Sequence, residues 1–309
     1  MKNKFIKSTL ILVIGALFTK MLGFIIRIIF TRTVSSDAVN LFSLIMPTYS
    51  LLITLASLGL PLAISNIIAE NKTNSKKILF SIIPATLLIN IFLIAIIFIT
   101  APFISNTLLD NEDAYFPIIS IAFLIPFVSL SSIIRGYFFG KQKMFPHTLS
   151  NIIEQIFRLL LIVLFLPKLL KYGTVFTVSV YILFNILSEL ISIIVFLFFA
   201  PKNFSISKKD LKPDVKVVKD VMSIAIPTTS SRIIGNIGYF FEPIILTFSL
   251  ILVGYKNAFV LNEYGIYNAY VLPLLTIPSF FILALNTSLV PEISKNKHNK
   301  LLIIKRRLR

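Results

Sequence analysis

Long apolar runs separated by short polar and basic segments set the frame of this chain. Windows of membrane-spanning length fall at about 8–31, 41–69, 78–100, 116–139, 148–167, 174–200, 221–252 and 264–291. A hydrocarbon core of about 30 Å needs roughly 20 apolar residues in helical form. The pattern therefore predicts an all-α multispan membrane protein with about eight transmembrane helices. Pro47, Pro61, Pro84, Pro126, Pro227, Pro273 and Pro278 lie inside these windows. Each removes a helical hydrogen bond and predicts a bend that neighbouring helices or water must re-satisfy.

Composition supports the same reading. Of 309 residues, 56% are hydrophobic and 29 are Phe, with a mean hydropathy of +0.90. Residues 1–7 followed by an apolar run resemble a signal peptide at first sight. The run is too long, carries Lys20 and Arg27 and lacks a small-residue cleavage site, so it reads as a retained first span.

The net charge of +17 changes the picture only through its placement. With the N-terminus set on the cytoplasmic side, 21 of the 30 Lys and Arg residues fall in inside segments and four in outside loops. That imbalance predicts cytoplasmic N- and C-termini. The five left within spans are Lys20, Arg27, Arg135, Arg158 and Arg232.

Two weak internal alignments organise the chain further. At an offset of 215, Lys4 matches Lys219, Ser8 matches Ser223, Gly23-Phe24 match Gly238-Tyr239, and Arg27 faces Glu242; at an offset of 226, Pro47 matches Pro273. Both copies start on the same side, as in a parallel repeat. The expectation is a six-helix lobe over 1–200, a basic cytoplasmic linker over 201–220, and over 221–309 the first two helices of a second, repeat-related and incomplete lobe with a basic tail.

Ionisable residues inside spans are costly, by about 2.5 kcal/mol on insertion scales, and usually face a cavity or a partner. Lys20, Gly23 and Arg27 form one stripe of the first helix, and Arg232, Gly235, Tyr239 and Glu242 a similar stripe on the seventh. A shared central cavity using Lys20, Arg27, Arg232 and Glu242 is expected, with snorkelling as the alternative for Arg27 and Glu242. Glu154 and Arg158, four residues apart, stack on one helix face. Arg158 lies about 16 Å beyond the preceding loop, near a bilayer midplane. This pair reads as a polar lock or coupling element, or as a structural ion pair. Glu189 has no counter-charge nearby in sequence and reads as a protonatable site or a helix-packing group. Arg135, only about 8 Å from the basic loop at 140–147, is expected at the cytoplasmic edge beside lipid headgroups. An excess of embedded cations favours an anionic ligand.

Nothing points to catalysis. The chain has no Cys, His147 and His298 fall in predicted loops, and no metalloprotease, nucleophile-elbow, P-loop or Gly-rich nucleotide motif occurs. No cofactor or metal is expected. The basic tail follows a span, so orientation or anionic lipid explains it better than nucleic acid.

Four segments carry a family resemblance: KMLGFIIRIIFTR (20–32), ASLGLPLAISNIIAE (56–70), RGYFFGKQKMFPHTLSNIIEQIFR (135–158) and EYGIYNAYVLPLLTIPSFFILALNTSLVPEISK (263–295). They resemble the stage V sporulation protein B group of polysaccharide transporters, in the multidrug/oligosaccharidyl-lipid/polysaccharide exporter superfamily. The resemblance implies a flippase of the bacterial inner membrane for polyprenyl-pyrophosphate-linked saccharide or peptidoglycan precursor, with two six-helix lobes rocking about a central cationic cavity. It also implies about fourteen spans, so the chain reads as an N-terminal portion. Lys20 precedes Leu22-Gly23-Phe24 as a basic residue precedes L-G-F in the lipid II flippases. Arg27 sits one position later than their second cation, and Leu51 and Leu52 stand where they carry basic residues. Expected partners are the lipid-linked substrate, membrane lipids and cell-wall synthesis enzymes. The rival readings are a cation-coupled multidrug exporter of the same superfamily and a non-transporting scaffold for cell-wall or spore-cortex synthesis.

Overall fold

A computed structural model describes residues 2–70, 74–201 and 213–276, and among these every regular element is helical. The elements are α1 (Lys2–Thr33), α2 (Ser36–Ser57), α3 (Leu60–Ala69), α4 (Ser75–Phe103), α5 (Tyr115–Gly140), α6 (Met144–Leu169), α7 (Thr174–Phe198), α8 (Val215–Leu252), α9 (Asn257–Ile266) and α10 (Leu272–Leu275). Seven of the resulting segments are long and apolar enough to cross a bilayer. The protein is thus an all-α multi-pass membrane protein. Most of the linker, much of the eighth window including Pro278, and the tail with His298 lie outside the described residues.

The second window differs from a single bent helix. It is two helices, α2 and α3, because Leu58 (φ 46°) and Gly59 (φ 59°) both adopt left-handed backbone. Pro61 in the first turn of α3 lacks an N–H that the helix start leaves unused anyway. The break frees the Ala56 carbonyl, which accepts from the Ser129 hydroxyl of α5 at 2.8 Å.

Packing arranges α1 against α6, α6 against α7, and α5 against α4, α3 and α7, while α8 lies along α2, α3 and α4. One apolar core runs through Phe30, Leu44, Ile45, Ile118, Ile125 and Ile162; a second joins Leu60, Ile64, Ile68 and Ile78 to Phe138, Phe196 and Val221. The α3–α5 crossing is close because Gly136 and Gly140 lie one turn apart. A Cβ on Gly136 would sit 2.8 Å from Ile64 Cβ, and one on Gly140 2.6 Å from Ile68 Cβ. Small residues at this spacing let backbones approach where lipid supplies no hydrophobic drive.

The polar face of the bundle is tied to α8 in two places. Midway along, Ser50 of α2 donates to Asn236 Oδ1 at 2.6 Å, and Asn236 Nδ2 donates to Thr54 Oγ1 at 3.1 Å. At the start of α8, Asp214 caps the helix through Lys216 N–H at 3.0 Å and pairs with Lys77 of α4 at 2.5 Å. Hydrogen bonds from Lys77 and the capped backbone hold the Asp214 carboxyl below its ordinary value.

Candidate functional site: a basic cavity and two arginine anchors

Four long helices and the described end of the chain enclose a cavity of about 550 Å³. Lys20, Gly23 and Arg27 of α1 line it on one side. Phe42, Met46 and Tyr49 of α2 and Gln155 and Arg158 of α6 line it on others, with Tyr181 and Asn185 from α7. Pro273, Leu274 and Thr276 close it from α10. A Cβ on Gly23 would meet nothing within 4 Å, so the α1 face between Lys20 and Arg27 is open. At the end towards the α1 C-terminus the cavity is plugged by aromatic rings. Phe30, buried at 1% exposure, packs in tilted contact with Tyr181 at 4.2 Å between centroids and with Phe42 at 5.1 Å.

The helical stripe of α1 thus delivers two predicted residues, Lys20 and Arg27, to one space. Arg158 joins them from α6. Arg232 does not: it is exposed on α8 and outside the cavity lining. Helix periodicity puts Arg232 on the same face of α8 as Ala225 and Asn236, yet its side chain is exposed beyond the described lining. Glu242 is half-buried, one turn beyond Tyr239 on the same face of α8, and also outside the lining.

Arg158 is anchored within a charge cluster. Its Nη2 donates to Glu154 Oε1 at 3.0 Å, the i,i+4 contact expected from spacing. Arg135 Nη2 donates to Glu154 Oε2 at 3.1 Å and to Glu189 Oε2 at 3.2 Å. Arg135, expected at the cytoplasmic edge beside lipid headgroups, has its guanidinium turned onto these two carboxylates, with its side chain 23% exposed. Glu189 likewise gains a counter-charge, from α5. Two cations and two carboxylates make the cluster neutral as a set. Ser150 and Ser192 meet at 2.6 Å beside it, binding α6 to α7. His147, expected in a loop, lies in the first turn of α6 against the Phe139 ring at 4.6 Å.

Arg27 is anchored differently, by neutral groups. Its Nη2 donates to the Asn268 backbone carbonyl at 2.5 Å and to Asn268 Oδ1 at 3.0 Å. Asn268 Nδ2 in turn donates to the Tyr239 hydroxyl at 2.9 Å and the Tyr264 hydroxyl at 3.2 Å. The local sequence explains the free carbonyl. Residues Tyr267–Val271 form a turn of π helix, in which the Leu272 N–H reaches Tyr267 O. The next bond in that register would run from residue 273 to Asn268 O, but Pro273 has no N–H. Sequence reasoning missed Asn268, because its role depends on a helix packed 241 positions away. The proline behind a run of polar YNAY residues was its only trace.

Among the described residues, Lys20 makes no hydrogen bond or ion pair, and Arg27 has no carboxylate partner. Charged side chains in an apolar span without such partners are the ones available to a ligand.

Comparison with known proteins agrees with this architecture. The model of a family described as "Polysaccharide biosynthesis protein" matches residues 5–297. Stage V sporulation protein B of Bacillus subtilis (strain 168) is 33% identical over 99% of this chain and 61% of its own length. Sporulation protein YkvU of the same organism is 29% identical, over 95% of this chain and 66% of its own. Lipid II flippase MurJ, also from that organism, is 27% identical over 52% of this chain and 32% of its own. The chain therefore spans somewhat less than two thirds of the length of the first two. Among solved structures, MATE in complex with MaD3S superposes with a TM-score of 0.70 at 16% identity, covering 97% of this chain and 68% of that one. The outward-facing conformation of a multidrug resistance MATE family transporter of the MOP superfamily gives 0.67 at 17%, covering 98% and 67%. At such identities the likeness concerns the fold. With the apolar helices, their packing and a family match over nearly its whole length, the chain belongs to the polysaccharide biosynthesis protein family.

Proposed function

We propose that this chain forms part of a bacterial cell-membrane transporter that moves a lipid-linked, phosphate-bearing saccharide from the cytoplasmic to the outer leaflet, without hydrolysis. One observation carries the reading: Lys20, Arg27 and Arg158 converge on a single cavity within the bilayer-spanning bundle. Phosphate oxygens are strong acceptors for such donors, and the apolar remainder of the wall suits a ligand that keeps its lipid tail in the membrane. The names of the relatives, which include a lipid II flippase, point the same way. In this reading Lys20 and Arg27 grip the anionic head group, and Arg158 with Glu154 and Glu189 fixes the wall behind it. Cytoplasmic N- and C-termini, two lobes that rock about the site and cell-wall synthesis enzymes as partners complete the proposal. A multidrug exporter for cationic compounds fits less well, because the cavity lining holds three cations and no carboxylate.

The test is translocation of a polyprenyl-pyrophosphate saccharide in proteoliposomes containing the intact natural protein. Replacing Lys20 and Arg27 together by Ala removes several charge-assisted hydrogen bonds, each worth about 1.5–3 kcal/mol. A loss of at least about tenfold is expected. Unchanged translocation would sink the assignment of the cavity.

A further inference from the structure

We propose that Asn268 is a stand-in ligand at an oxyanion site on Arg27, so that a phosphate or pyrophosphate group in the cavity and the α1–Asn268 clasp exclude each other. This rests on the anionic-ligand reading above and adds the atom-level exchange that follows from it.

Arginine grips a phosphate best through two parallel N–H donors. The two paired edges are Nε with Nη2 and Nη1 with Nη2, and Nη2 is common to both. In this structure Nη2 is the nitrogen given over to Asn268, through both its backbone carbonyl and Oδ1. A paired grip on an oxyanion therefore needs Asn268 to release at least one of these contacts. Arg158 offers no comparable exchange, since its Nη2 is held by a carboxylate.

Release has a reach beyond one side chain. Asn268 holds Tyr239 of α8 and Tyr264 of α9 through its Nδ2. Arg27 holds α1 to the π turn on the other side. Letting go of Arg27 frees α1 from the α8–α9 pair while the contacts of Asn268 to Tyr239 and Tyr264 stay in place. An anion thus substitutes charged acceptors for neutral ones at Arg27 and loosens α1 from α8–α9. By linkage, whatever strengthens the clasp must weaken anion binding by the same factor.

These 309 residues contribute no competing thiol to a labelling test. Nitroxide labels on Arg32→Cys in α1 and Ile266→Cys in α9, both exposed positions, report the separation by pulsed dipolar spectroscopy of the intact protein in phosphatidylcholine nanodiscs. Inorganic pyrophosphate is the soluble probe, and a dialkyl phosphate lipid in the disc is the membrane-borne one. A longer label distance with either probe is expected; response to the first alone indicates entry from water, to the second alone entry from the bilayer. Calorimetry with pyrophosphate supplies the affinity. Asn268→Ala keeps the backbone carbonyl contact but loses Oδ1, so it is expected to lengthen the label distance only part of the way without any probe and to bind pyrophosphate about three- to tenfold more tightly. Asn268→Asp, which turns the clasp into an ion pair, is expected to bind it at least about tenfold more weakly. Changes of affinity in the same direction in both variants would mean a packing role and overturn the proposal. Saturable binding with no change in distance would also overturn it, while leaving the cavity assignment intact. No binding of either probe would instead remove the anionic-ligand reading on which it rests.

Discussion

Arg135 and Glu189 stand 54 positions apart, on α5 and α7, and their side chains meet at 3.2 Å. Together with Glu154 and Arg158 they tie three helices through four charges that sum to zero. Removing one member leaves an uncompensated charge in a largely desolvated place, which costs about 3–5 kcal/mol. Glu154→Gln, which takes a carboxylate from both arginines and leaves Arg158 without one while Arg135 keeps Glu189, is expected to lower the melting temperature of the purified protein more than any other single change in the cluster. The double variant Arg135→Leu, Glu189→Leu restores neutrality and is expected to cost less than the sum of its two single changes. Additive losses would show that the contacts are not energetically coupled.

The α3–α5 crossing has no room for a side chain at Gly140. Placing a Cβ 2.6 Å from Ile68 Cβ forces backbone movement, and overpacking of this kind costs about 1–3 kcal/mol. Gly140→Ala is expected to lower stability by that amount. Gly140→Ala combined with Ile68→Ala is expected to recover part of the loss, measured by thermal unfolding in detergent.

The mid-membrane contact between α2 and α8 is smaller in energy. Interhelical hydrogen bonds in bilayers average about 0.6 kcal/mol and reach about 1.7. Asn236→Ala removes its contacts to Ser50 and Thr54 and is expected to cost about 1 kcal/mol. Asn236→Gln is expected to behave no better, because the longer chain cannot satisfy both partners at 2.6 and 3.1 Å.

The Lys77–Asp214 contact gives a pH signature. The Asp214 carboxyl is held below its ordinary value of 3.8, so its contribution is fully present above that value and fades as pH falls through the lower folded-state one. The difference in stability between wild type and Lys77→Ala is expected to be constant from neutral pH down to about 4 and to shrink below it. A difference that persists unchanged in stronger acid would show that Lys77 acts through packing. The pair is exposed, so the difference itself is expected to be small.

Hydropathy made seven helices and their all-α class legible, since apolar length alone decides which segments cross a bilayer. The stripe of Lys20, Gly23 and Arg27 was legible too, because a helix puts such spacings on one face. The i,i+4 pair of Glu154 and Arg158 followed from the same periodicity. Arg135 was misread because depth from a loop says nothing about which way a helix is turned. The carboxylate of Glu189 that meets it is supplied by another helix. Arg232 stands outside the described cavity lining, because a repeat between α1 and α8 that matches residue types says nothing about how far each helix stands from the cavity. Asn268 was hidden by a backbone irregularity, and the break at Leu58–Gly59 by a non-glycine residue in left-handed backbone, which local patterns disfavour.

The neutrality of the four-charge cluster has an electrical consequence. Since Arg158 is balanced by carboxylates, the positive charge left uncompensated among the described residues of the cavity wall is that of Lys20 and Arg27. A head group bearing two negative charges would therefore make the loaded site electroneutral. Moving a net charge through a membrane potential involves about 2.3 kcal/mol per charge per 100 mV. If the proposed outward transport holds, a loaded site of zero net charge would change its exposure with little electrical work, and the membrane potential would act on the return of the empty, doubly positive site rather than on the passage of cargo.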